Sequence, residues 1–128
     1  MKARRFSWKK RMRSFSYAFK GIGYLLETQH NSWIECGVGL IAVALGFYFH
    51  IRKVEWLFII FSIALVFMAE LMNTAIETLV DLISPEMNEK AGRIKDLAAG
   101  AVLFAAIFAF ITGIIIFLPR LLSVLSYP

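Results

Sequence analysis

The stretch WLFIIFSIALVFMAELMNTAIETLVDLISPE, residues 56–86, decides how this chain is read. Residues 56–69 are nearly pure hydrocarbon, and then Glu70, Asn73, Glu77 and Asp81 enter with no break in the apolar background. At about 100° per residue, a helix places these four on one arc of about 80°. A polar stripe therefore runs down a helix otherwise suited to lipid. If Trp56 marks one membrane interface, about 20 residues rising about 1.5 Å each reach the other near residue 76. Glu70 then lies inside the hydrocarbon, Glu77 at its boundary, and Asp81 in water. A carboxylate at the bilayer centre costs about 2.5–3.5 kcal/mol even on lenient insertion scales. Such a face persists where it is turned into protein and has a task there.

The rest of the chain agrees with a membrane setting. It has 128 residues, 59% of them hydrophobic, which bounds it to a single all-α integral membrane domain. Apolar runs predict transmembrane helices over 34–51, 55–83 and 97–118, although Glu35 and several glycines weaken the first. Of the 14 Lys and Arg residues, eight fall in the first twenty positions and Lys90, Arg93 and Lys95 follow the second span. Only Arg52, Lys53 and Arg120 fall on the opposite side. The positive-inside rule then puts the N-terminus and residues 84–96 in the cytoplasm, in a multi-pass protein of the inner membrane. The basic charge serves topology and anionic headgroups, so no nucleic-acid partner is expected. Cys36 is alone, which excludes an intrachain disulfide framework. The N-terminus lacks a signal-peptide pattern and is expected to belong to the mature protein.

Residues 1–27 hold the expected surface helix. Met12, Phe15, Phe19, Ile22 and Leu26 recur at spacings of three and four, with Lys9, Lys10, Arg13 and Lys20 largely off that stripe. TQHNS (28–32) is a polar junction, where Asn31 or Ser32 is expected to cap the first span. The second span is expected to stop before Ser84-Pro85, leaving residues 84–92 as a loop. In the third span Ala105, Ala109 and Gly113 form a small-residue ridge for close helix approach. Three helices cannot enclose the acidic stripe by themselves, which points to a symmetric homo-oligomer.

Three chemistries compete for that stripe. An ion-pair glue would want bases beside the acids, and Lys95 is the one candidate. A small oligomeric proton-coupled transporter would want acids near the midplane and would have no use for the Lys95-Asp96 pair. A phosphotransferase fits better, because the stripe runs out to the aqueous boundary and meets a lysine cluster. Phosphates would meet Lys95, Arg93 and the basic surface helix, Glu77 lies at the depth for a magnesium ligand, and Glu70 suits a base for a lipid hydroxyl. No GxxxxGK[ST] loop is present, and GIG at 21–23 is too short for a glycine-rich phosphate loop.

AELMNTAIETLVDLISPEMNEKAGRIKDLAAGAVL (69–103) resembles the signature of the small prokaryotic membrane diacylglycerol kinase family, which includes undecaprenol kinases. Glu70, Asn73-Thr74-Ala75-Ile76-Glu77, Asp81 and Lys95-Asp96 fall on that pattern without a gap, and YAFKGI (17–22) agrees with it. The resemblance implies a homotrimeric bundle, each subunit bearing one surface helix and three transmembrane helices, with active sites shared between neighbours. It implies phosphate transfer from magnesium-ATP to a membrane lipid alcohol, diacylglycerol or undecaprenol. Glu70 resembles the catalytic base and, with Ala99, a lipid contact; Asn73 resembles an active-site hydrogen-bonding residue. Glu77 and Gln29 match metal- and nucleotide-binding positions. Lys10, Tyr17, Glu86, Met87, Asn88, Lys95 and Asp96 match nucleotide contacts, and Asp81 a supporting position. The chain departs from the pattern at Gln29, where an acid is usual, at Lys10, where an arginine is usual, at Asn88, where some members have histidine, and at Ile94, where alanine is usual.

Overall fold

A computed structural model describes residues 7–86 and 88–126. The described chain is four helices in sequence: α1 (Trp8–Thr28), α2 (His30–Tyr48), α3 (Lys53–Ile83) and α4 (Glu89–Ser126). The last three are long and apolar enough to cross a membrane. At about 1.5 Å per residue α3 is about 46 Å long, more than a hydrocarbon core of about 30 Å requires. Both ends of its acidic stripe, Glu70 and Asp81, therefore belong to one continuous helix.

Helices α3 and α4 pair along their length, and their buried residues explain why. On α3 Ile59, Val66, Asn73 and Val80 are buried; on α4 Ala91, Ala98, Ala105 and Thr112. Both sets repeat every seven residues, the period that keeps one seam facing a partner helix. Alanines on α4 let the backbones come close, where lipid offers no hydrophobic reward for association and packing must supply it. The close contact runs along this seam. Of the expected ridge only Ala105 lies in it, and Ala109 and Gly113 instead line a cavity.

The ends of the helices follow local rules with two departures from expectation. Helix α2 begins at His30 with Gln29 in extended backbone at the cap position, so Asn31 and Ser32 lie inside the first turn and neither is the cap. Helix α4 begins at Glu89, eight residues before the expected span, because Asn88 caps it: its Oδ1 accepts from the Ala91 N–H at 2.9 Å. Helix α3 ends at Ile83, one residue ahead of Ser84-Pro85.

Between α2 and α3 the chain turns in a Schellman arrangement. Ile51 N–H donates to the Gly46 carbonyl and His50 N–H to that of Phe47, with His50 at φ 49°. Ile51 then drops into a cluster with Ile59, Ile116 and Phe117, flanked by Leu45, Phe49 and Trp56. Gly46 is buried because the Trp56 ring lies across it: a Cβ there would stand 2.8 Å from the indole. Gly46→Ala is expected to displace that ring and destabilise the fold by about 1–3 kcal/mol, measurable by denaturant titration in micelles.

Helix α1 joins the bundle at its C-terminal end. Leu25 is only 1% exposed, whereas Phe15 on the apolar stripe is 64% exposed. The Trp33 indole donates to the Leu26 carbonyl at 2.8 Å and locks the bend between α1 and α2. That bend sets Gln29 against α3.

Candidate active site

The stripe of α3 becomes a site by what the other helices bring to it. Glu70 and Asn73 are 4% and 8% exposed, Glu77 is half-buried and Asp81 exposed. The stripe thus grades from burial to solvent along one helix. Gln29, at the α1–α2 bend, donates from Nε2 to Glu77 Oε2 at 3.4 Å. Asn73, one turn before Glu77, donates from Nδ2 to Glu77 Oε1 at 3.2 Å. Both carboxylate oxygens of Glu77 are therefore held by amides. Asn73 Oδ1 is buried and finds no hydrogen-bond partner among the described residues.

Above this pair opens a cavity of about 340 Å³ lined by Gln29, Asn31, Glu35, Glu70, Asn73 and Ala99, with apolar side chains of α4 behind them. Glu35 comes from α2 and lines this cavity together with Glu70. Sequence reasoning missed Glu35 as a site residue and treated it only as a weakness of the first span. The available signal was an acid inside an apolar helix, itself a reason to suspect function. A second, apolar cavity of about 180 Å³ shares Glu35 and Ala106 with the first. It runs along α2 past Val38 and Ala42 to Gly113 of α4.

Asp81 and Lys95 form an ion pair that joins the end of α3 to the start of α4. Asp96 is exposed beside it. In the connecting loop Asn88 Nδ2 donates to Ser84 Oγ, which donates to the Glu86 carbonyl. Met87 lies outside the described residues. Lys10 and Tyr17 stand exposed on α1, the Tyr17 ring 5.9 Å from Lys20 Nζ, and the single chain does not bring them to the cavity. Glu70, Asn73, Glu77, Gln29 and Ala99 do meet. Among the described residues no three His, Cys, Asp or Glu side chains converge.

Comparisons with known proteins identify the family of the chain. The profile described as Prokaryotic diacylglycerol kinase matches residues 16–117. A diacylglycerol kinase of Synechocystis sp. is 39% identical over 113 residues, 88% of this chain and 65% of that protein, so the chain spans about two thirds of that relative. An undecaprenol kinase of Bacillus subtilis is 38% identical over 109 residues, 85% of this chain and 89% of its own. A diacylglycerol kinase of Escherichia coli is 35% identical over 109 residues, 80% of this chain and 89% of its own. With an all-helical bundle, three membrane-length helices and a match over residues 16–117, the chain belongs to the prokaryotic diacylglycerol kinase family.

Proposed function

We propose that this protein is an ATP-dependent lipid kinase that phosphorylates the hydroxyl of a membrane lipid alcohol at the cytoplasmic boundary of the inner membrane. The observation that carries the reading is the gradient along α3, from buried Glu70 to exposed Asp81, with Glu77 between them. A fatty alcohol reaches the buried end and a hydrated nucleotide the exposed end. The lipid hydroxyl oxygen attacks the γ-phosphorus, its bond to the β–γ bridging oxygen breaks, and ADP leaves. Glu70 takes the hydroxyl proton in a cavity that Glu35 and Ala99 also line. The apolar cavity that begins at Glu35 receives the hydrocarbon chain of that alcohol.

A magnesium ion fits the residues present. Glu77 offers a carboxylate, Gln29 an amide, and Asn73 an oxygen with no partner among the described residues, an all-oxygen set suited to a hard cation. Bound there with the nucleotide, it would neutralise phosphate charge. Lys95 and Asp96, with Glu86 and Asn88 of the loop, would meet the nucleotide, and Asp81 pairs with Lys95. Lys10 and Tyr17 complete the nucleotide site from α1 of a neighbouring copy in a homotrimer. Many large apolar side chains on α1, α2 and α4 are exposed in the single chain, surface that lipid and the other copies cover.

The test is purified protein in mixed micelles with magnesium and labelled ATP, offered diacylglycerol and undecaprenol in parallel. Labelled phosphate is expected on a lipid, and the lipid that carries it names the substrate. Label on neither, with the protein shown to be folded and trimeric, overturns the reading.

A further inference from the structure

Gln29 and Asn73 occupy the two oxygens of Glu77 with amide hydrogens. A cation that arrives alone would have to displace both donors and would gain a single negative charge, that of Glu77, in return. Divalent-cation affinity in oxygen sites follows the count of ligand charges, and magnesium in particular is held by one or two carboxylates together with substrate phosphates. We infer that this protein takes up its divalent cation only as the chelate with nucleotide, and that Gln29 is the residue that sets this order.

The inference rests on the reading of Glu77 as the metal ligand. Two features make it specific to this chain. The junction residue that reaches Glu77 is an amide, so its side chain donates to the carboxylate and compensates its charge without a cation. Asn73 Oδ1 is left buried and without a partner among the described residues, on a side chain that also lines the cavity. A buried acceptor of this kind is costly until something fills it. The cation carried in by a triphosphate supplies a partner for that oxygen and brings with it the phosphate ligands that the protein lacks. Gln29 acts here as a positioning residue: it holds Glu77 ready in the empty site and withholds the second negative charge that would let the site load early.

Equilibrium dialysis of labelled Mn²⁺ against the full chain in detergent micelles tests this, with and without a non-hydrolysable ATP analogue. The wild-type protein is expected to retain Mn²⁺ when the analogue is present and to retain at least about tenfold less at the same Mn²⁺ concentration when it is absent. Gln29→Glu, which places a second carboxylate against Glu77, is expected to retain Mn²⁺ without nucleotide and to tighten that binding by about tenfold or more. A second readout is thermal unfolding: Mn²⁺ alone should raise the midpoint of Gln29→Glu, and should move the wild-type midpoint only together with the analogue. Equal retention by the wild type with and without nucleotide overturns the inference, as does a Gln29→Glu protein with no gain. Failure of the analogue to bring Mn²⁺ to any variant has a different signature and counts against the kinase reading itself.

Discussion

Glu70→Gln is expected to lower kcat by about 10²–10⁴-fold, the range typical for loss of a positioned general base. The amide keeps the shape and hydrogen-bonding capacity of the side chain, so the buried position stays filled. It cannot accept the lipid proton and retain a neutral product state. KM for ATP should move little, because Glu77 and the Lys95–Asp81 pair lie toward the exposed end of the stripe. Steady-state kinetics in mixed micelles, with circular dichroism to confirm helix content, make the measurement. A Glu70→Gln protein with wild-type turnover would remove Glu70 from the chemistry and leave the stripe as a packing device. The same substitution separates the kinase from a non-catalytic assembly protein, in which it would be harmless.

Arg120→Met is expected to produce the largest loss of stability. At the end of the bundle remote from the cavity, Arg120 Nη2 donates to both oxygens of Glu55, at 3.0 and 2.9 Å, and its Nη1 to the Ile116 carbonyl. Glu55 is 9% exposed and also accepts from the Arg52 backbone N–H at 2.8 Å. Removing one partner of a buried pair strands the other charge and costs about 3–5 kcal/mol. Arg52 remains at 3.4 Å to answer part of that charge, which places the expected loss at about 3 kcal/mol. Glu55→Gln combined with Arg120→Met should recover much of it, since no charge is then stranded, and the double-mutant cycle measures the coupling. Activity per folded molecule should survive, because Glu55 and Glu70 are fifteen residues apart on one helix, about 22 Å. A denaturant midpoint unchanged in Arg120→Met would show that the clasp contributes nothing.

The two sites differ in how far the sequence announced them. The line Glu70, Asn73, Glu77 and Asp81 is legible because all four belong to one helix, and 100° per residue is enough to align them. The clasp was not legible: Arg120 and Glu55 are 65 residues apart, and in the chain they read only as charges flanking apolar runs. Glu35 escaped notice for the same reason. Its meaning comes from Glu70 on another helix, while its own segment shows only an acid among glycines. The seven-residue seam of α4 was present in the chain as Ala91, Ala98, Ala105 and Thr112. A repeat at four through Ala105, Ala109 and Gly113 competes with it, and only packing against α3 selects between them.

Local chemistry along the chain was sufficient for the apolar spans, the acidic stripe, the stop before Pro85 and the family. Each of these depends on neighbours within a few turns of one helix, where periodicity and hydropathy act directly. Which side chains stand opposite the stripe required the fold. Gln29 meets Glu77 across 48 residues because the backbone leaves the helix at position 29 and Trp33 locks the bend. That single bend decides whether Glu77 faces a second helix or water, and no periodicity in the chain records it.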